Sequence, residues 1–519
     1  MSSTPQVSWR GRQGVCRFRE PNAPLARRST HAEASTSGHN EPSVHSRGKA
    51  VVVGAGPAGS LIAVYLAQQN YDVEVYEQRA MPDPMNRNLD RSYHLAMSHR
   101  GMGAVEKVGI DMSRFREFPY VGSLLQKQDG STTKWFHTPV DSKVLVERME
   151  LVRHIVDEAR RISPHRIKFI WEHNCQAVDM EQRTATFECP DGSSVDASFD
   201  VLIGADGVNS KVRQELQRQV PDFGVEWHGR MHRIDKFYHH AKPDAPIGFP
   251  GAELDANATV LRFFYVDSPP PLSVGLFFIH NHKDGSYSGG LGFTRADYSD
   301  AGSGGNFRSA DDYAKVLRGI RALPEDMVHK IAEQFVERPW YSSGSTLQTS
   351  RLHQGRVLLV GDAAHAVSAA FGQGVNSALE DCKVFGEVLG GDPGDLDAVL
   401  AKFERQRYPD TRALGDMDRQ GEAFQGFRGK WNLSYLLYQS HIRTAKRRER
   451  KVVYKGEVPS SLTVGSLLES GQAIARYKLG SFHHSAVFEL VHGHLQMLLP
   501  SMYEQSLTEV RSEGGEKFV

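Results

Sequence analysis

Six residues, Gly54-Ala55-Gly56-Pro57-Ala58-Gly59, constrain this chain more than any other stretch. They follow Ala50–Gly54, a short run rich in β-branched residues, and precede Ser60–Asn70, whose composition is helical. Tyr71–Glu77 then alternates Val73 and Val75 with Asp72 and Glu74, the pattern of a half-buried strand. In such a βαβ unit Gly54 permits a tight turn, Gly56 lets the backbone approach a pyrophosphate, and Gly59 lets helix and strand pack closely. The helix start, including Ala58, would present its positive dipole end to phosphate. A lone Gly-x-Gly-x-x-Gly is weak evidence. Here it stands between strand and helix, and Glu77 follows at the end of the second strand, where a carboxylate can receive ribose hydroxyls. An acid there favours FAD or NAD over NADP, whose 2′-phosphate it would repel.

Two further motifs follow strands. Gly204-Ala205-Asp206-Gly207 continues through Val208-Asn209-Ser210 to Arg213. Taken alone it reads equally well as an acidic turn with Ser210 capping the next helix. Gly361-Asp362-Ala363-Ala364-His365 leads into Phe371-Gly372-Gln373-Gly374-Val375-Asn376. Asp362 at a strand end could accept from a ribityl hydroxyl. The backbone N–H groups of Gly374, Val375 and Asn376, opening a helix, could face a flavin carbonyl and stabilise charge on the reduced ring. His365 is either a helix-start histidine or a catalytic one, and no acid–base dyad is legible, so the catalytic side chains are left unknown.

The remaining chain sorts around these motifs. Residues 49–215 and 346–400 are expected to form one discontinuous Rossmann-like FAD-binding domain. Within it, 141–161 reads as an amphipathic helix, and Thr184–Cys189 with Ser194–Phe199 flank the hairpin signal Asp191-Gly192. Between residues 216 and 345, short aromatic and β-branched runs (Val260–Val266, Ser273–His280, Gly289–Thr294) suit a mixed, mostly antiparallel sheet covering a substrate, with a loop at 301–305. Residues 401–519 are expected to be helical, with a basic cluster at Lys446–Lys451 that suits a solvated helix face. The fold class is therefore α/β, with a Rossmann-like domain interleaved with a mixed-sheet substrate domain and followed by a helical C-terminal region.

Composition excludes several classes. Lys plus Arg and Asp plus Glu both number 62, which gives no argument for a nucleic-acid partner. No apolar run has the length of a transmembrane segment. The four cysteines, Cys16, Cys175, Cys189 and Cys382, form no Cys-x-x-Cys pair, and His483, His484, His492 and His494 lack carboxylates or cysteines at ligand spacing, so no metal is expected. Residues 1–48 are Arg- and Ser-rich and acid-poor, as a transit segment is, with a plastid preferred over a mitochondrion. A disordered tail on a cytoplasmic protein is the alternative.

The three motifs in this order resemble the FAD-dependent aromatic hydroxylases, the para-hydroxybenzoate hydroxylase family, over roughly residues 49–410. Asp90-Arg91-Ser92-Tyr93-His94-Leu95-Ala96-Met97-Ser98-His99-Arg100-Gly101 and the stretch 360–382 are similar to the kynurenine 3-monooxygenases within that family. The resemblance implies an FAD-dependent monooxygenase that takes hydride from NADPH or NADH and puts one oxygen atom of O2 into a small-molecule substrate, aromatic or otherwise organic. It also implies FAD contacts at Ala96 and Arg148, with Arg79 over the adenine side. The family holds its substrate's carboxylate with an Arg and a Tyr, which fall here at Ser123 and His137, and it has a proline where this chain has Ala369. Serine cannot make arginine's bidentate pair with a carboxylate. A flavin-bound assembly or regulatory factor without oxygenase activity stays open as the alternative.

Overall fold

In the computed structural model the described residues are 45–82, 93–126, 132–136, 143–247, 259–267, 273–294, 309–320, 323–339, 341–367, 372–391 and 394–425. Residues 1–44, His137, Ala369, the loop at 301–305, the basic cluster and the histidines after 480 lie outside them. The chain opens with β1 (Lys49–Val53), α1 (Pro57–Gln68) and β2 (Asp72–Glu77), then β3 (His94–Met97), α2 (His99–Glu106), β4 (Tyr120–Gln126), β5 (Thr132–Phe136), β6 (Val144–Glu147) and α3 (Arg148–Ile162). It continues with β7 (Ile167–Trp171), β8 (Asn174–Asp179), β9 (Thr184–Glu188), β10 (Ser194–Ser198), β11 (Val201–Gly204) and α4 (Lys211–Gln219). Next come β12 (Val225–Ala241), β13 (Thr259–Asp267), β14 (Ser273–Asn281), β15 (Ser286–Thr294), α5 (Ala310–Leu317), α6 (Glu325–Glu337) and β16 (Tyr341–Thr349). The last are β17 (His353–Gln354), β18 (Val357–Leu359), α7 (Asp362–His365), α8 (Gly374–Gly391) and α9 (Leu396–Gln425).

The first sheet runs β17-β18-β11-β1-β2-β7. From β18 to β7 its neighbours are parallel, with Val53 beside both Gly204 and Tyr76, and Gly204 beside Leu359. Parallel strands are covered on both faces, which is why β1 and β11 are apolar throughout their centres. α1 buries every residue from Ala58 to Ala67. Because β1, β11 and β18 are adjacent and point the same way, the turns that leave their C-terminal ends emerge side by side. Crevices at that edge are where open α/β sheets bind ligands.

The second sheet runs β16-β12-β15-β14-β13-β4-β5, antiparallel except between β13 and β4. α5 and α6 cover one face, where Tyr238, Phe264, Leu276, Phe278, Leu291 and Phe335 form a separate apolar core. Two of its strands, β4 and β5, come from within the 49–215 stretch of the sequence. β3 and β6 form an antiparallel pair of their own.

The helix expected over 141–161 starts later. Val144–Glu147 is strand, and α3 begins at Arg148. The alternation of buried Val144 and Val146 with half-buried Leu145 and Glu147 has a period of two, and pairing with β3 overrides the helical reading of that end. Of the expected C-terminal helical region, the structure describes residues up to Gln425, all within α9. No helix of the described residues is long and apolar enough to cross a membrane.

Candidate functional site

The glycine turn is sterically required. Gly54 has φ +97°, and a Cβ there would stand 2.6 Å from the carbonyl oxygen of Ala205. A Cβ on Gly59 would stand 1.8 Å from the carbonyl oxygen of Gly54. The first and second motifs are thus packed backbone to backbone. Gly56 is different: its open side looks toward Arg148, whose Nη2 lies 3.6 Å from where a Cβ would be. Pro57 occupies the first turn of α1, and the N–H groups of Ala58 and Gly59 have no intrahelical acceptor. Glu77 holds the rim, its carboxylate accepting from the backbone N–H of Ala55 at 2.9 Å and of Arg79 at 3.1 Å. Ala55, Gly56, Glu77, Arg79, Arg148 and Trp171 line one cleft.

In the second motif Asp206 Oδ2 accepts from the backbone N–H groups of Lys211 (2.6 Å) and Val212 (3.2 Å) at the start of α4. Its Oδ1 is buried with no hydrogen-bond partner, and burial raises its pKa. Arg213, buried, ties this motif to the third by donating to the carbonyls of Val208 (2.7 Å) and Ala363 (2.9 Å). In the third motif Gly361 has φ +59°, and a Cβ there would stand 2.9 Å from Cβ of Ala378 and 3.8 Å from Cβ of Ala58. Asp362 follows with its side chain open to solvent at the cleft. The surrounding protein still desolvates the carboxyl enough to raise its pKa, against the opposing pull of His365 and Arg148.

Gly374 opens α8 with a Cβ position 4.0 Å from Asp362 Oδ1. The N–H groups of Gly374, Val375 and Asn376 are that helix's unsatisfied first donors. The Asn376 side chain is committed elsewhere. It donates to the carbonyls of Ala96 and Gly372, both at 2.9 Å, and accepts from the backbone N–H of Ser98 at 2.8 Å. It thereby clamps β3 against α8 and places Ala96 beside Gly372. The expected residues of all three motifs, together with Ala96, Arg148 and Glu77, surround one cleft edge. Arg79 stands at its rim, exposed.

Beneath the third motif lies a charge network that the sequence did not announce. Asp381 on α8 accepts from the Gly361 backbone N–H (2.8 Å) and from Arg407 Nε (2.6 Å), and pairs with His365 Nε2 (2.7 Å). Arg407 on α9 also reaches Ser377, Glu380 and Asp410. His365, Asp381 and Arg407 are all buried. Burial pushes the Asp381 carboxyl up, but His365 and Arg407 outweigh it and hold the pKa at about 2. His365 is therefore a strut under the Gly361 turn. Its partners could have been suspected from one sign: an Asp and an Arg placed among Leu379, Cys382 and Phe385 on α8, and Leu400 and Phe403 on α9.

The face of the second sheet opposite α5 and α6 carries Phe237, Phe263 and Phe277. Phe237 stacks on Tyr93 with ring centroids 5.8 Å apart. Tyr93 interacts electrostatically with Arg148 and Asp362, and its carbonyl accepts from the Arg148 N–H, so it joins the aromatic face to the cleft. Ser123 sits on β4, its hydroxyl 2.7 Å from that of Tyr120.

Comparison with known proteins fixes the family. Residues 47–235 and 320–410 match the FAD binding domain family. The chain belongs to the FAD-dependent monooxygenases. It is 30% identical over 396 residues to kynurenine 3-monooxygenase of Salinispora arenicola, covering 72% of this chain and 78% of that protein. It is 28% identical over 391 residues to the enzyme of the same name from Phaeosphaeria nodorum, covering 71% and 76%. Violacein synthase of Chromobacterium violaceum is similar at 28% over 389 residues, covering 72% and 84%. Among solved structures, tetrameric 2-methyl-3-hydroxypyridine-5-carboxylic acid oxygenase superposes with TM-score 0.57 at 20% identity, covering 78% of this chain and 95% of that one. Klebsiella pneumoniae HpxO, complexed with FAD and uric acid, superposes with TM-score 0.54 at 21% identity, covering 80% and 97%. These structural likenesses speak for the fold of this flavoprotein.

Proposed function

We propose that this flavoprotein monooxygenase holds FAD along the C-terminal edge of β1, β11 and β18 and oxygenates a small aromatic substrate against the face carrying Phe237, Phe263 and Phe277. The observation that carries the reading is the adjacency of three separate turns at one sheet edge, with Asp206 Oδ1 buried there and unpaired. A buried acceptor left without a donor costs about 1–3 kcal/mol, which a ligand donor recovers. The residues fit the group. Gly54, Gly56, Ala58 and Gly59 with the N-terminus of α1 would receive the pyrophosphate, Glu77 the adenosine ribose, and Arg79 and Arg148 the adenosine flank. Asp206 and Asp362 would receive hydroxyl donors of the FAD chain. Ala96 and the N–H groups of Gly374, Val375 and Asn376 would face the ring, with the domain halves 49–215 and 346–400 forming its bed and 216–345 its cover.

FAD, reduced by NADPH or NADH, supplies the activation of O2. What this chain supplies is placement. The α8 N-terminus offers fixed donors to negative charge on the ring, and the Asp381–Arg407–His365 strut keeps the Gly361 turn from yielding. A substrate seated against Tyr93 and the phenylalanine face would exclude water there, which protects the oxygen-transfer step from uncoupled turnover. Ser123, already bonded to Tyr120, bears on which substrate is held. The test is NAD(P)H oxidation by the purified yellow protein. A substrate should accelerate it and emerge heavier by one oxygen atom in mass spectrometry. A flavin-loaded protein whose NAD(P)H consumption no aromatic compound stimulates would favour the assembly-factor reading. Plastid import of residues 1–48 is a separate proposal, rejected if a reporter fused to them stays in the cytosol.

A further inference from the structure

One cluster of ionisable side chains at the cleft is unused by the cofactor. His94 on β3 and Glu147 on β6 are cross-strand neighbours. His240 reaches them from β12, its Nε2 3.9 Å from Glu147 Oε2. Its Nδ1 lies 3.5 Å from Asp284, 3.3 Å from Ser286 Oγ and 3.3 Å from Asn281 Nδ2. Glu150 on α3 adds a third acid near His94, and Lys283 is drawn to Glu150 at 3.6 Å. His240 is there because the backbone is strained: β12 bulges between Tyr238 and Ala241, and His240 takes φ +49°, a conformation that non-glycine residues seldom adopt. Strain of this kind is retained where it aims a side chain. The Glu147 and His240 side chains keep 20% and 22% of their surface accessible, so a ligand can reach them. The cluster begins one residue after Tyr93, at the edge of the aromatic wall.

We infer that Glu147, set between His94 and His240, receives the polar end of the substrate, and that this end is a protonated amine or another hydrogen-bond donor rather than a carboxylate. The inference rests on the monooxygenase reading and names its substrate class. The wall of Phe237, Phe263, Phe277 and Tyr93 takes an aromatic ring. Glu150 is already paired with Arg114 at 2.6 Å and Lys283 at 3.6 Å, so it is Glu147 and Asp284 that would repel an incoming carboxylate and draw an ammonium. Burial keeps His94 neutral at physiological pH, with its pKa lowered to about 4, so it adds no positive charge. Lys236 points to the other face of the sheet, toward Tyr313 and the carbonyl of Phe335, and Ser123 offers only a hydroxyl that Tyr120 already engages.

The experiment uses the flavin-loaded full chain and three indole probes with two-carbon arms, tryptamine, indole-3-propionate and tryptophol, with binding read as perturbation of the flavin visible spectrum. Tryptamine should bind about ten-fold tighter than indole-3-propionate. Glu147→Gln should erase that preference while leaving flavin content as in the parent. Equal or tighter binding of the acid, an amine preference that survives Glu147→Gln, or binding of none of the three overturns the inference. Mass spectrometry of the same mixtures, once NADPH or NADH is added in air so that reductant and O2 are both supplied, separates the two readings. Amine-selective binding with no oxygenated product would contradict the monooxygenase chemistry and leave the assignment of Glu147 standing.

Discussion

The layer beneath the Gly361 turn and the second sheet treat buried polar groups in opposite ways. Under the Gly361 turn, Asp381, Arg407 and His365 are sealed from water and bonded to one another, each Asp381 oxygen being engaged. In the second sheet the Tyr238 hydroxyl is buried with no partner, and β12 carries a strained bulge at His240. A fully paired network resists deformation, whereas unpaired polar groups and strained backbone store free energy that a ligand or a local shift can release. The contrast teaches a division of labour. On the proposed reading, one region holds a cofactor whose shape does not change, and the other discriminates among substrates.

The largest expected effect tests the rigid half. Asp381→Ala removes the acceptor of Gly361 and a partner of buried Arg407, and breaking a buried pair costs about 3–5 kcal/mol. Thermal denaturation should show a large fall in Tm together with loss of flavin, and an unchanged Tm would mean the network is not the support described. Next, Asp362→Ala removes a cleft carboxylate and leaves the fold in place. FAD affinity should fall by about 1.5–3 kcal/mol with little change in apoprotein Tm, as read by flavin titration. Smallest is Tyr238→Phe, which deletes a buried hydroxyl that has no partner. Stability should stay level or rise by up to about 1 kcal/mol, and a clear loss would show that the hydroxyl is bonded after all.

Acid separates the His94 cluster from the strut on the pH axis. His94 falls to about 4, chiefly through burial, from an ordinary value of 6.5, so the unfolded chain binds its proton first. Its contribution is full above pH 6.5 and is lost as pH falls toward 4. Asp381 is held at about 2 against an ordinary 3.8, so its contribution is present above 3.8 and is lost as pH falls toward 2. Tm measured against pH should therefore show the cleft cluster weakening before the strut. His94→Asn should flatten the upper limb alone.

The three turns at the sheet edge were legible because each of them is local. A glycine turn with Glu77 after it, and an acidic turn after each of two strands, are short-range patterns with a steric or electrostatic cause. The strut was not legible, since Asp381 and Arg407 lie on different helices and acquire meaning only when α8 and α9 pack. The start of α3 was misplaced for a similar reason: Val144–Glu147 becomes strand because β3 is beside it. On the substrate side, the sequence offered Ser123 as a departure from the family. The His94–Glu147–His240 cluster needed the bulge in β12, which no spacing rule signals.

The most direct measurement is flavin binding by the purified chain, read as the visible spectrum after added FAD and gel filtration, for the parent and for Gly54→Val, Asp206→Ala and Asp362→Ala. If the three turns share one cofactor, the parent retains flavin equimolar with protein and each substitution lowers that retention. A parent chain that stays colourless, or variants in all three turns that hold flavin as the parent does, would contradict it.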